Sequence, residues 1–432
     1  MKTLSFLARS FFRRGYRSSP GTVALWLYAL AGLADGALMP FFALWAQREA
    51  HVPTKYIGVL LACYAGGELL ATPLLGGIAD RVGRRPVLLC STLGIGLGFL
   101  LLGHLHGAWL IALCLIGIGI FECALHPTIA TVIADTVAPD QLRNHYSLAS
   151  IASSIGRVAG PALSALLASI SLGAVFTSGG ISMLCAATLV VVMLPETMPR
   201  DAKRSDDAQD DDEEEESLAA LLPAFKDRRL AMLLLWFTAI EIADGWTEVV
   251  IPLAAHAAHA LSVSEVGMLF TYGAAIAAVL QWPVTRWLSK IEGFVWFIAG
   301  GVALAAGFLL LLIRIDVLTL VAGVTLFSFA QVLIGPLVPV TVNELAPPSA
   351  RATYMAAIST ANDLKDSLGP ASGVYLYAVS ARLPWLLGLP VALVSAFALA
   401  MTVRQRERNK ASHASPVGAS EEGKPPLFVN FR

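Results

Sequence analysis

Apolar runs of about twenty residues follow one another along almost the whole chain, separated by short polar stretches. Twenty helical residues rise about 30 Å, the thickness of a bilayer's hydrocarbon core. The runs predict twelve membrane-spanning helices over residues 22–46, 57–78, 86–104, 108–134, 147–169, 171–194, 230–255, 264–288, 292–313, 317–343, 352–378 and 383–403. Of the 432 residues 56% are hydrophobic and only 14% charged. A soluble domain is usually about a quarter charged, so this chain lacks the polar surface to cover itself in water. The reading is an all-α membrane protein.

The basic residues fix a topology. With both termini on the cytoplasmic side, only Arg48, Lys55, Arg314 and Arg382 fall in outer loops, and Arg157 and Lys365 lie within spans. Every other Lys and Arg then lies on the inner side, as the positive-inside rule requires. The domains follow as a basic segment over 1–21, a six-helix bundle over 22–194, an acidic linker over 195–229, a second bundle over 230–403 and a tail over 404–432. Nine of the eleven residues from Asp206 to Glu216 are acidic. Such a run self-repels and has nothing to bury, so linker and tail are expected to be disordered. The cysteines, Cys63, Cys90, Cys114, Cys123 and Cys185, all lie in apolar runs without metal-ligand or redox spacing and read as small packing residues.

The halves repeat each other. Ala34-Asp35-Gly36 before Pro40 matches Ala243-Asp244-Gly245 before Pro252. At nearly the same shift, Ile57-Gly58 matches Val266-Gly267, Ala138-Pro139 with Arg143 and Tyr146 matches Ala346-Pro347 with Arg351 and Tyr354, and Gly160-Pro161 matches Gly369-Pro370. Six helices followed by six in the same orientation make a parallel repeat, whose substrate site lies between the halves near mid-membrane.

Between the second and third spans stands Gly76-Gly77-Ile78-Ala79-Asp80-Arg81-Val82-Gly83-Arg84-Arg85-Pro86. Its glycines permit a tight turn, Asp80 can accept from helix-end amides, and Arg84 and Arg85 can bridge to carboxylates or lipid phosphates. This loop resembles the G-x-L-A-D-R-x-G-R-[KR] signature of the major facilitator superfamily. The resemblance implies two pseudo-symmetric six-helix bundles and a cytoplasmic latch of Gly77, Asp80, Arg81, Gly83, Arg84 and Arg85, with Asp135 at the end of the fourth span as partner. Gly156-Arg157-Val158-Ala159-Gly160-Pro161 in the fifth span resembles the GxxxGP element of the superfamily's twelve-span drug/proton antiporters, the tetracycline-resistance-like group. Gly156 and Gly160 offer a smooth face for close helix contact and Pro161 a bend, with Gly369 and Pro370 as second-half counterparts. Ser164 and Ala165 replace the paired glycines that continue this pattern, and Leu113 stands where many relatives carry a relay arginine. Arg157 is the expected substitute.

Ionisable groups in hydrocarbon are costly and normally face a cavity or a partner. The candidates for proton coupling and the substrate cavity are Asp35, Glu122 and His126 (four apart, one face), Arg157, Glu241, Asp244 and Glu248 (one face), Asp363 and Asp366. Trp246, beside Asp244, is a candidate for stacking on a cationic substrate. Arg157 is expected to pair with Glu122 or Asp35, and Glu68 with Lys365 as a bridge between halves. Carboxylates so outnumber cations here that they cannot all ionise in a low dielectric, the property a proton-coupled carrier needs.

The expected function is secondary active transport: proton-coupled efflux of small, cationic or amphipathic organic compounds, or alternatively proton-coupled import of a metabolite. No H-E-x-x-H, G-x-S-x-G or nucleotide-binding loop points to an enzyme or to ATP-driven transport. The expected partners are a small-molecule substrate and the lipid bilayer, with no nucleic acid, no metal and no cofactor beyond the coupling proton. The protein is expected to act as a monomer in a bacterial-type inner membrane.

Overall fold

A computed structural model describes residues 19–75, 78–138, 141–197, 227–288, 293–347 and 351–413. The acidic linker run and Gly77 lie outside the described residues. The described residues form twelve long helical units: α1 (Pro20–Arg48), α2 (Thr54–Leu75), α3 (Arg84–Leu102), α4 (Ala108–Glu122 and Leu125–Thr136), α5 (Leu142–Ala168), α6 (Leu172–Met193), α7 (Arg228–Ala257), α8 (Val263–Leu288), α9 (Gly293–Ile313), α10 (Val317–Ile334 and Leu337–Leu345), α11 (Arg351–Val379) and α12 (Leu383–His413). Ten of these are long and apolar enough to cross a membrane by composition. The other two, α2 and α11, have 22 and 29 residues and carry Glu68 and the Lys365–Asp366 pair. A five-residue helix, Ile78–Val82, lies between α2 and α3. α12 continues through the polar residues after Arg404 to His413, beyond the point where the sequence pattern places the start of the tail.

Local chemistry repeats between the halves. Ser19 caps α1 by accepting from the Thr22 amide, with Pro20 in the first turn, where a missing N–H costs nothing. Asp227 caps α7 by accepting from the Arg229 amide. At their other ends both helices stop on a left-handed histidine, His51 at φ 54° and His259 at φ 53°. The Ala50 and Ala260 amides there return to the Trp45 and Ala255 carbonyls. α4 and α10 are each interrupted, at Cys123-Ala124 and Gly335-Pro336. Pro127 and Pro336 lack the N–H that would have bonded residues 123 and 332.

Packing follows the same repeat. α1 lies on α5 and α6 as α7 lies on α11 and α12, and α3 lies on α6 as α9 lies on α12. The GxxxG element works as its spacing predicts. A Cβ at Gly160 would stand 2.6 Å from the Leu33 carbonyl, and one at Gly156 would collide with the Ala29 carbonyl. Only glycine lets the α1 and α5 backbones approach so far. In the corresponding α7–α11 contact a Cβ at Gly369 would stand 3.2 Å from the Gly245 Cα.

Between the halves, α2 packs on α11, α5 on α8 and α1 on α7. The close approaches lie at one end of the bundle. Gly58, in the first turns of α2, abuts the Ala371 carbonyl, and Gly267, in the first turns of α8, abuts Phe41, Pro161 and Ala165. At the opposite end, where the chain enters α1, the second segments of α4 and α10 pack against helices of their own halves. The halves are thus closed together at the end away from Pro20 and part toward the end that carries it.

Candidate functional site

Two groups of charge face the space between the halves. In the first half, Asp35 sits in mid-α1 and Glu122 on the last helical residue before the α4 break, with His126 one turn on. Ligating atoms of these three side chains lie within 4.8 Å of one another. Glu122 is buried, and its Oε1 is 3.9 Å from His126 Nε2. Tyr28 stacks on the His126 ring at 5.9 Å and donates its hydroxyl to the His126 carbonyl, which orients the imidazole. Tyr64 and Glu68 of α2 are the further neighbours of Glu122.

The cation of this group is Arg157. Its Nη2 lies 3.9 Å from Asp35 Oδ2, with 65% of its side chain exposed. The α1–α5 glycine contacts pin its backbone: a Cβ at Gly36 would stand 3.0 Å from the Arg157 carbonyl. Its charge is felt by Asp35, Glu248, Asp366 and Glu122, carboxylates from both halves. Of the two partners that the sequence suggests for Arg157, Glu122 and Asp35, the direct one is Asp35.

In the second half, Lys365 Nζ is 3.2 Å from Glu241 Oε2, and both side chains are largely buried. This corrects the expected Glu68–Lys365 bridge: the lysine closes on an acid of its own half, since α7 and α11 are in contact and Glu241 faces that seam. Asp244, Glu248 and Asp366 surround the pair, and the Gln331 amide of α10 reaches Asp244 Oδ2 at 3.5 Å. Trp246 is also corrected. Its indole N–H donates to Ser372 Oγ at 2.9 Å, its ring packs on Gly373, and only 7% of it is exposed. It joins α7 to α11 and has no face free for a substrate. The Asp363 side chain lies outside the described residues.

At the open end stands a latch centred on the buried Arg84. Arg84 donates from Nε to Asp135 Oδ2 at 3.0 Å, from Nη2 to Asp80 Oδ1 at 2.8 Å and from Nη1 to the Ala79 carbonyl at 2.8 Å. Asp80 therefore pairs with Arg84 instead of accepting from helix-end amides. Glu196 takes those amides, accepting from the Arg84 and Arg85 N–H groups at 3.0 and 3.3 Å. Arg85 also donates to the Val191 carbonyl at 2.8 Å. Gly83, at φ 113°, makes room for the carboxylate, because a Cβ there would meet Glu196 Oε2. Sequence reasoning missed Glu196. The available signal was an isolated acid just past the sixth span on the side of the arginine-rich loop. Arg81 is also partnered.

The family model of the major facilitator superfamily matches residues 24–370 and 249–431. The chain belongs to the major facilitator superfamily. It is 28% identical over 298 residues to the class D tetracycline resistance protein of Salmonella ordonez, covering 68% of this chain and 73% of that protein. The crystal structure of the nucleoside transporter NupG superposes with a TM-score of 0.73 at 12% identity, over 89% of this chain and 98% of that one. That of the human organic anion transporter MFSD10 does so with a TM-score of 0.63 at 21% identity, over 90% of this chain and 100% of that one. This facilitator-superfamily chain is a multi-pass membrane transporter of small molecules, not an enzyme, and it resembles the tetracycline-resistance group.

Proposed function

We propose that the protein is a proton-coupled antiporter that exports small cationic or amphipathic organic compounds. The observation that carries this is the distribution of charge between the halves. Lys365 closes on Glu241 and is shared with Asp244, Glu248 and Asp366, and Arg157 faces Asp35, Glu122, Glu248 and Asp366, so two cations meet six carboxylates. A site with surplus carboxylates takes up protons or cations, and the two compete for it. Arg157 does the work of the arginine absent from position 113. The similarity to tetracycline resistance proteins supports the outward direction. The proton serves as coupling ion in place of any cofactor, and a monomer encloses the whole site. The positive-inside pattern puts both termini, the latch and the open end in the cytoplasm of a bacterial cell, so the described state faces inward.

The test is transport in proteoliposomes under an imposed pH gradient, with a panel of lipophilic cations. Asp35→Asn and Asp244→Asn are expected to reduce gradient-driven transport at least about a hundredfold, the scale on which a positioned proton-transfer group acts, while purified protein stays monodisperse. Full gradient-driven transport by both variants overturns the coupling assignment. Accumulation of substrate with inward-moving protons identifies import instead.

A further inference from the structure

We propose that the closed end of the transporter carries a binding site for a small oxyanion, a phosphate-type group, which bridges the halves and holds that end shut. A cavity of about 440 Å³ opens there between the ends of α1 and α5 from one half and the α7–α8 connection from the other. Arg48 of α1, His256 of α7 and His259 of the α7–α8 connection line it, with the hydroxyl-bearing Ser169, Ser262 and Ser264. The two imidazoles face each other at 6.4 Å, and Arg48 is the other cationic neighbour of His256.

Among the described residues no acid lines this cavity. The two acids nearest in sequence are each bound to backbone amides, Glu265 at the cavity's own Ser262. Glu49 accepts from the Leu172 and Gly173 amides at 2.7 and 2.8 Å, and Glu265 accepts from the Ser262 amide at 2.7 Å. Among the described residues no carboxylate pairs with Arg48. Arg48 and His256 each stand in the last turn of a helix, where the carbonyl end favours a cation. That accounts for each alone. It does not account for a guanidinium and two imidazoles converging across a seam between the halves. A guanidinium, two imidazoles and the Ser262 and Ser264 hydroxyls are the donors an oxyanion takes, the Ser169 hydroxyl being donated to the Leu166 carbonyl. Because Arg48 belongs to one half and the histidines to the other, a bound anion ties the two together, and the site comes apart when this end opens. The site lies at the closed end alone and is independent of proton coupling.

The test is titration of the full-length protein, in phospholipid-free detergent micelles, with inorganic phosphate, followed by melting temperature and by calorimetry. A parallel titration uses phosphatidylglycerol added to the micelles. Saturable binding is expected in the wild type, weakened at least about tenfold in Arg48→Gln and in His256→Gln/His259→Gln. Lys55→Gln, which removes a charge at the same end outside the cavity, leaves it unchanged. Binding of phosphate itself assigns a free anion as occupant, and binding of phosphatidylglycerol alone assigns a lipid headgroup. Absence of both, or binding undiminished in the Arg48 and double-histidine variants, overturns the proposal.

Discussion

Replacing Lys365 by Met probes the second-half charge group most directly. Its Nζ stands 3.2 Å from Glu241 Oε2, with side-chain exposures of 16% and 12%. At an effective dielectric constant of about 20 the attraction is about 5 kcal/mol. Desolvation cancels most of that, so the pair as a whole adds little over an apolar pair, but removal of one partner strands the other at a cost of about 3–5 kcal/mol. The two removals are not equivalent. Lys365 also serves Glu248, Asp244 and Asp366. Lys365→Met therefore removes the cation shared by four acids, while Glu241→Met leaves the lysine three other acids. The expected losses are about 3–5 kcal/mol for Lys365→Met and about 1–2 kcal/mol for Glu241→Met. Unfolding in mixed micelles, with the double variant completing the cycle, measures both and their coupling. Equal losses in the two single variants, or a Lys365→Met protein as stable as wild type, would refute the assignment of Lys365 as the shared counter-charge.

The α1–α5 seam predicts that Gly160→Val costs about 2–3 kcal/mol in the same assay, because its Cβ drives the Leu33 carbonyl away; Gly117→Ala, where a Cβ meets nothing within 4 Å, is neutral or stabilising. Glu196→Ala removes the acceptor for two α3 amides and should lose about 1–2 kcal/mol, with Arg84 becoming accessible to guanidinium-specific labelling. Asp316, at the start of α10 and outside the spans, has its carboxyl held below the ordinary 3.8, chiefly by the Thr319 amide. A depressed pKa stabilises the fold above the ordinary value and loses that contribution as pH falls through the folded one. The melting difference between wild type and Asp316→Ala should therefore be constant from about pH 5 to 8 and shrink toward zero in acid; a difference that grows on acidification contradicts the cap.

Hydropathy alone made the helices legible, because burial in lipid imposes one length and one composition on every span. The repeat was legible too, since Asp35 and Asp244, or Gly160 and Gly369, mark equal places in equal bundles. Individual charges stood out for the same reason: Asp35, Glu122 and Arg157 are expensive in hydrocarbon wherever they point. Pairing was harder to read. Lys365 has acids in reach on several helices, and only the seam between α7 and α11 selects Glu241. Glu196 looked like a linker residue until the chain brought it 111 positions back to the α3 amides. Trp246 beside an aspartate reads the same in sequence whether its ring turns to the cavity or to Gly373.

The interruptions of α4 and α10 give each bundle a joint. A helix that already lacks its Pro127 or Pro336 bond can flex there without forfeiting another backbone bond. Neither six-helix unit is then a stiff lever: its inner cavity wall can lean independently of its outer one. Glu122 is the last helical residue before one such joint, so the buried carboxyl and the break in the backbone ladder share one turn of α4.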